Sequence, residues 1–325
     1  MLRLPRFSYL RPDSVAEAAR MLADHGGRAM LMAGGTDVLP KMKRRQMAPE
    51  VLIGLSHLRE LREARTLPDG RLELGAGVTL AAVQDAGSTP RAYAQAARLV
   101  SSPALRNVGT IGGNLCLDTR CNYYDRSEEW REAIGFCLKT GGEACLVAAS
   151  SPRCWAVSSA DTPPVAVALG ATAVLVGPDG EREVPVASLY RDDGIAYLAK
   201  EPTEVLSHLR LPAPETWRSS YVKLRRRSSL DFPLAGAAVA LQLDGRRVER
   251  CRLVLGAVAS HPVEVPAVAS LLEGRELDDE AIVEAAAEAA KPAKPLDNTD
   301  ASYVWRKRMV KVIVERALRD AAALA

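Results

Sequence analysis

The sequence predicts a fold that mixes helices and strands in two consecutive parts. Helical and strand patterns alternate along the first part of the chain, up to a proline-rich stretch at 211–216 that has the composition of a linker. Beyond the linker, three strand patterns come first and three helical patterns follow. That order is typical of an antiparallel sheet packed against helices.

Local signals place the elements of the first part. Ser14 and Glu17 have the spacing of a helix capping box, so a helix is expected from 15 to 25. Further helices are expected at 80–86, 92–101 and 164–169, and strands at 29–33, 51–55, 71–80, 171–176 and 183–186.

The second part is predicted to open with a hairpin-containing sheet. Asp244 and Gly245 are a standard hairpin turn between two strand patterns. Strands are expected at 221–224, 234–243 and 250–258, and helices at 266–272, 279–290 and 301–318.

Composition excludes several functional classes. The chain has 325 residues with 43 basic and 40 acidic side chains, a balance that does not favour binding to nucleic-acid phosphates. The apolar runs contain glycine and proline and are too short to span a membrane. No hydrophobic secretion signal is present at the N-terminus, so a cytoplasmic location is expected.

Two glycine-rich segments are candidate phosphate-binding loops. They are Ala-Gly-Gly-Thr-Asp at 33–37 and Gly-Thr-Ile-Gly-Gly-Asn at 109–114, and neither matches the dinucleotide fingerprint G-x-G-x-x-G. Taken singly, each is better explained as an ordinary tight turn. Because glycine exposes backbone N–H donors, the pair favours a pyrophosphate cradle.

Cysteine placement is the most uneven feature. Six cysteines are present, and five lie between 116 and 154. The segment 118–158 shows no clear period and is expected to be an insertion; it contains Cys121, Cys137, Cys145 and Cys154. Without a secretion signal, a metal or iron–sulfur site is favoured over disulfides. The remaining Cys116 and Cys251 are expected to be buried structural thiols.

Four thiolates suit either a tetrahedral zinc ion or a 4Fe–4S cluster. Structural zinc sites usually contain paired Cys-x-x-Cys knuckles, and the sequence has none. The wide spacing therefore fits a cluster somewhat better. A zinc-stapled or metal-free loop is the alternative.

Ala-Gly-Gly-Thr-Asp-Val-Leu-Pro at 33–40 and Thr-Ile-Gly-Gly-Asn at 110–114 resemble the paired FAD-binding motifs of a known family. It is the medium, flavin-carrying subunit of molybdenum hydroxylases, the xanthine dehydrogenase and carbon monoxide dehydrogenase group. The segments 160–171 and 221–235 resemble later parts of that family in the same order, so the resemblance covers essentially the whole chain.

The resemblance implies an α+β fold. A two-part FAD-binding domain of the vanillyl-alcohol oxidase (PCMH) type would occupy 1–214, with subdomains at about 1–57 and 58–214 and the insertion at about 118–158. A smaller C-terminal domain like that of CO dehydrogenase flavoprotein, an antiparallel sheet with helices, would occupy 219–325.

The same resemblance implies the roles of individual residues. The two loops would hold the FAD pyrophosphate, Asp161 would hydrogen-bond the sugar-alcohol or phosphate region, and Lys223 would approach the flavin. Asp231 would lie near the flavin edge. The loop residues are Leu31, Met32, Ala33, Gly34, Gly35, Thr36, Asp37, Val38, Thr110, Ile111, Gly112, Gly113 and Asn114.

The insertion departs from the common family pattern. It resembles the flavin subunit of enzymes of the 4-hydroxybenzoyl-CoA reductase type, where Asn-Leu-Cys-x-Asp-Thr-Arg-Cys opens an insertion that binds a 4Fe–4S cluster. Here Asn-Leu-Cys-Leu-Asp-Thr-Arg-Cys stands at 114–121. By this resemblance Cys121, Cys137, Cys145 and Cys154 are the ligands. The whole enzyme would remove a phenolic hydroxyl from an aromatic acyl-CoA.

Such an enzyme implies partners. A molybdopterin-binding large subunit and a 2Fe–2S small subunit would form a heterohexamer of two heterotrimers with this chain. Electrons would pass from reduced ferredoxin to the 4Fe–4S cluster and FAD, and no catalytic side chain is expected here. An alternative in the same fold is the flavin subunit of a hydroxylase, which passes electrons outward to NAD or another acceptor. A third hypothesis is a non-catalytic scaffold with a zinc-stapled loop.

Overall fold

Three β-sheets and the helices packed on them form the protein in the computed structural model, which describes residues 3–323. The described strands are β1 (Ser8–Leu10), β2 (Ala29–Met32), β3 (Val51–Gly54), β4 (Ala64–Thr66), β5 (Leu72–Gly75), β6 (Thr172–Gly177), β7 (Gly180–Pro185), β8 (Val205–Leu211), β9 (Arg218–Leu224), β10 (Ala235–Asp244), β11 (Arg247–Gly256) and β12 (Val263–Glu264).

The helices lie between and after these strands. They are α1 (Val15–His25), α2 (Val38–Lys43), α3 (Leu80–Asp85), α4 (Arg91–Leu99), α5 (Pro103–Arg106), α6 (Ile111–Leu115), α7 (Glu128–Ala133), α8 (Thr162–Leu169), α9 (Pro266–Leu272), α10 (Asp279–Ala289) and α11 (Tyr303–Ala322). No helix within residues 3–323 combines the length and apolar character needed to cross a membrane.

The strands form one small parallel sheet and two antiparallel sheets. The parallel sheet has the order β1-β3-β2. The second sheet has the order β4-β5-β8-β6-β7, and the third has the order β12-β11-β10-β9. Helices and largely antiparallel sheets are thus combined in two domains, which confirms the expected α+β class.

Helix α1 occupies the predicted range, but only half of its capping box forms. The Ser14 hydroxyl accepts a hydrogen bond from the Glu17 N–H at 3.1 Å. The Glu17 carboxylate, however, accepts from the N–H of Asp13 rather than from that of Ser14. Val15, Ala18 and Leu22 are spaced on one face and buried, so packing of that face anchors the helix.

Three elements of the second sheet differ from the sequence prediction, of which β4 is a short strand without a predicted counterpart. Strand β5 ends at Gly75 because the chain then turns toward a 3₁₀ turn, where the Gly77 N–H donates to the Leu61 carbonyl at 2.7 Å. Strand β8 was not predicted, although it lies between β5 and β6. It directly precedes the proline-rich stretch, and that composition obscured its alternating pattern.

Strand β10 faces two cores because its side chains alternate. Ala237, Val239 and Leu241 pack with α9, α10 and α11 in the C-terminal core. Ala238 and Ala240 point the other way, into the core of the first domain, where α8 packs on β10 and β11. The small alanine side chains allow this close approach, so the two domains meet at an apolar interface, the seam.

A buried arginine holds the C-terminal domain together. Arg306 on α11 is fully buried, and its guanidinium donates to the carbonyls of Leu234, Leu296 and Ala257 at 2.9, 2.9 and 2.7 Å. These carbonyls belong to three separate segments. Arg306 therefore connects α11 to the start of β10 and to the chain after β11 and α10.

We predict that Arg306→Met lowers the free energy of unfolding by about 2–4 kcal/mol, because it leaves two buried carbonyls and one partly buried carbonyl without a donor. Arg308→Met is the matched control, since Arg308 lies on the same helix but is exposed, and its replacement should change stability by less than about 0.5 kcal/mol. Urea unfolding of the two variants measures the difference. Equal effects would contradict this role for Arg306.

Candidate functional site

The two glycine-rich loops contact each other directly. A Cβ atom added at Gly34 would lie 1.9 Å from the Val108 carbonyl oxygen, so only glycine fits there. One added at Gly109 would lie 3.7 Å from the Thr36 hydroxyl. Gly35 has a φ of +70°, which also favours glycine. The pair of loops expected from sequence therefore forms one continuous backbone surface.

The two loops differ in their available N–H donors. Within residues 3–323, the amides at 34–36 donate to no carbonyl or side chain. In the second loop, the Ile111 and Gly112 amides donate to the carbonyls of Val78 and Ala76, and the Gly113 amide donates to the Thr110 hydroxyl. The first loop thus supplies free donors for an anion, while the second shapes the surface beside it.

The predicted Asp161 lies behind this cradle in a buried network. Asn114 accepts hydrogen bonds from the Thr162 amide at 3.2 Å and hydroxyl at 2.7 Å, which ties the second loop to α8. Asp161 accepts from the Tyr221 hydroxyl at 2.9 Å and from the Lys223 ammonium at 2.8 Å. The network joins the cradle to β9 of the C-terminal domain.

The Lys223 ammonium uses all three of its donors inside the protein. Besides Asp161, it donates to the carbonyls of Leu99 and Asp231, each within 2.9 Å. Burial raises the pKa of Asp161, although the Lys223 charge acts in the opposite direction. The Asp161–Lys223 ion pair therefore links the first domain to β9 of the C-terminal domain beside the cradle.

A polar cleft of about 390 Å³ opens next to this network. Its lining includes Ser159, Asp231 and Cys121, together with the arginines Arg120, Arg126, Arg226 and Arg227. Ser159 is buried, and its hydroxyl has no hydrogen-bond partner within the described chain. A buried hydroxyl without a partner at the wall of a cleft fits a site that a polar ligand completes.

The four predicted cysteines converge on a second, smaller cavity. Cys121, Cys137, Cys145 and Cys154 all line it, and each is only 4–7% exposed. They carry no disulfide. Cys116 does not line this cavity and is half-buried, while Cys251 is buried in the C-terminal core as expected.

Four thiol groups at one cavity are a ligand set for either a zinc ion or a 4Fe–4S cluster. Across residues 3–323, no three His, Cys, Asp or Glu side chains converge closely enough to hold one metal ion. A zinc ion needs sulfurs about 2.3 Å from one point, whereas a cluster binds sulfurs that surround a larger volume. The Ala156 amide also donates to the Cys154 sulfur at 3.3 Å, and such bonds tune iron–sulfur clusters.

Burial makes two of these thiols, those of Cys121 and Cys154, poor acids in the absence of a bound cation. Loss of solvent raises the pKa of Cys121 to about 12 and that of Cys154 to about 11. A bound metal centre would reverse this effect, because the thiols release their protons and bind the cation as thiolates. Around the thiols only a small apolar group forms, with Tyr124 and Ala156 at its centre.

A chain of buried charges connects the two sites. The Asp118 carboxylate pairs with Lys41 and Lys139, both at 2.6 Å, and Lys41 also lies 3.3 Å from Asp37 of the first loop. Burial alone would raise the pKa of Asp118, but the two ammonium groups outweigh it and hold that pKa below its usual value. Sequence analysis did not identify these lysines, because their partners are distant in the chain.

Comparisons with known proteins show the family of this chain. The family described as "FAD binding domain in molybdopterin dehydrogenase" matches residues 5–214, and "CO dehydrogenase flavoprotein C-terminal domain" matches residues 219–321. The chain is 30% identical to the carbon monoxide dehydrogenase medium chain of Hydrogenophaga pseudoflava, with 98% of both chains covered. It is 23% identical to the xanthine dehydrogenase FAD-binding subunit of Escherichia coli O157:H7, with 98% and 97% covered.

Solved structures support the same family assignment. A carbon monoxide dehydrogenase structure from Hydrogenophaga pseudoflava superposes with a TM-score of 0.80 at 29% identity and 99% coverage of both chains. Quinoline 2-oxidoreductase from Pseudomonas putida 86 also gives 0.80, at 25% identity, with 99% and 98% covered. Fold and cradle define a flavin-binding oxidoreductase subunit. The chain belongs to the FAD-binding medium subunits of the molybdenum hydroxylase family.

We predict that Gly34→Ala weakens FAD binding by about 1–3 kcal/mol, because the added methyl group pushes the first loop away from Val108. Flavin absorbance per purified chain measures the loss. Gly27→Ala is the control, since a Cβ there meets nothing within 4 Å. Full flavin content in Gly34→Ala would show that contact between the loops is not needed for the cradle.

Proposed function

We propose that this chain carries a 4Fe–4S cluster in addition to FAD and transfers electrons between them within a molybdenum-dependent enzyme. One observation carries the proposal: four buried cysteines surround one cavity, and Cys121 lines both that cavity and the polar cleft. A cluster and a flavin held in these two cavities would share a wall. The family supports the FAD; the cluster rests on the cysteine cavity.

The residues of the cradle fit FAD. The free amides at 34–36 and the Thr36 hydroxyl would bind the pyrophosphate. From there the Asn114–Thr162 contact and the Asp161–Lys223 pair lead to the cleft, where Ser159 offers an unused hydroxyl to the ring end. When bound, the flavin supplies the redox chemistry, and this chain binds, orients and shields it.

The insertion would hold the cluster. Cys121, Cys137, Cys145 and Cys154 would be the ligands, and the Ala156 amide would donate to the Cys154 sulfur. Tyr124 and Val147 line the cavity and limit the access of water. A dry environment with few amide donors is a lever by which a protein sets the potential of such a cluster.

Two directions of electron flow are candidates, and different observations favour them. The relatives named above are carbon monoxide and xanthine dehydrogenases and quinoline 2-oxidoreductase, so the comparisons favour the hydroxylase alternative, in which electrons leave through the flavin. None of these relatives is a 4-hydroxybenzoyl-CoA reductase. That hypothesis, with reduced ferredoxin as the donor and an aromatic acyl-CoA as the substrate of the complex, depends on the four-cysteine insertion alone.

In either direction we propose the same two partners. A large subunit would hold the molybdopterin and the substrate, and a small subunit would carry 2Fe–2S clusters. The names of the relatives as medium chains and FAD-binding subunits support such a complex. Two copies of each subunit would form the proposed heterohexamer.

We predict that Cys137→Ala abolishes the 4Fe–4S signal while FAD is retained, because Cys137 lines the cysteine cavity but is remote in sequence from the cradle. Iron, acid-labile sulfide and flavin per chain, with EPR of the reduced protein, measure this. Cys251→Ala is the control, since Cys251 is a buried thiol of the C-terminal core. Zinc without sulfide in the unmodified chain would refute the cluster.

The direction of electron flow has its own test. If the enzyme is of the reductase type, the complex with its partner subunits should oxidise reduced ferredoxin and fail to reduce NAD⁺. Stopped-flow bleaching and recovery of the flavin absorbance would follow both reactions. Rapid NAD⁺ reduction driven by a hydroxylase substrate would instead establish the alternative.

A further inference from the structure

The cysteine cavity contains one buried ammonium group, that of Lys139, with 7% of its side chain exposed. It donates to the Asp118 carboxylate at 2.6 Å, the Thr119 hydroxyl at 2.6 Å and the Gly194 carbonyl at 2.5 Å. All three donors are therefore used by protein groups. These acceptors lie on two segments other than that of Lys139.

Each of these segments is directly connected to a cysteine. Lys139 itself follows Cys137 by two residues, and Asp118 and Thr119 precede Cys121. Gly194 donates its N–H to the Cys154 carbonyl at 2.9 Å, and a Cβ added at Gly194 would lie 2.7 Å from the Cys154 sulfur.

The segment of the fourth cysteine is joined by backbone hydrogen bonding. The Leu138 N–H, next to Lys139, donates to the carbonyl of Ala144 at 2.8 Å, and Ala144 precedes Cys145. A single ammonium group thus connects the segments of three cysteines, and its neighbour in sequence connects the fourth.

The position of the charge matters as well as its hydrogen bonds. The Lys139 ammonium lies 4.7 Å from the centre of the Tyr124 ring and 5.5 Å from that of Tyr197, so aromatic faces replace water around it. A 4Fe–4S cluster bound by four thiolates is anionic. A cation at the cavity wall would favour binding of that anion and further reduction of it.

We propose that Lys139 is the positioning residue of the cysteine cavity. Its ammonium group holds three of the four ligand segments in place before a cluster binds, and it raises the reduction potential of that cluster. This inference rests on the proposed function, because it requires that the cavity hold a cluster. Lys41 shares Asp118 with Lys139 and so reaches only the segment of Cys121, which makes it a graded comparison.

The experiment compares Lys139→Met with Lys41→Met in the full chain purified without oxygen. Loss of an outer-shell partner typically costs about 10–100-fold in metal affinity. In Lys139→Met, iron release to a chelator should therefore be about 10–100-fold faster. Its midpoint potential by EPR titration should fall, and its FAD content should stay unchanged. Lys41→Met should accelerate iron release less than Lys139→Met does, because Lys41 reaches only one of the four ligand segments.

Thr119→Val is a milder second variant, which removes one acceptor of Lys139 and keeps the charge. It should release iron faster than the unmodified chain while its potential stays close to normal. Unchanged iron release and potential in Lys139→Met would overturn the inference and leave the cluster in place. An unmodified chain that lacks iron and sulfide would instead refute the proposed function, and with it this role for Lys139.

Discussion

The ion pairs of Asp118 are the interaction on which the arrangement of the two sites depends. Its carboxylate lies between two buried lysines, one from the helix after the flavin loop and one from the cysteine insertion. An unpaired buried charge costs several kcal/mol, so none of the three groups can leave without exposing the others to that cost. The insertion is therefore fixed to the flavin domain by electrostatics, since its own hydrophobic cluster is small.

In the flavin domain, glycine residues determine how closely the loops approach each other. At Gly34 and Gly112, the missing side chains let two loops and the turn at Ala76 approach within distances that any Cβ would prevent. The backbone then presents its amides without intervening side chains. Ion pairs thus fix the position of the insertion, whereas glycines without side chains form the cradle. The two cavities become neighbours through these different physical means.

Much of this could be predicted from sequence where the signal is local. The two loops, the four cysteines and most helices are marked by short motifs or periodicity, and the cysteines do share one cavity. Lys41, Lys139 and Gly194 carried no such signal, because their significance lies in contacts between segments far apart in the chain. Helices α2 and α6 were not expected, since proline and glycine in their sequences favour loops.

The alanine face of β10 has a consequence for how the cofactor can enter. Buried alanine side chains have no rotamers through which this packing could adjust, so relative movement of the two domains would open gaps at the seam. The cleft is then expected to keep its width whether or not it is occupied. A flavin would have to be threaded in from the solvent side, past the arginine-rich segment at 225–227, or be captured while the chain is still folding.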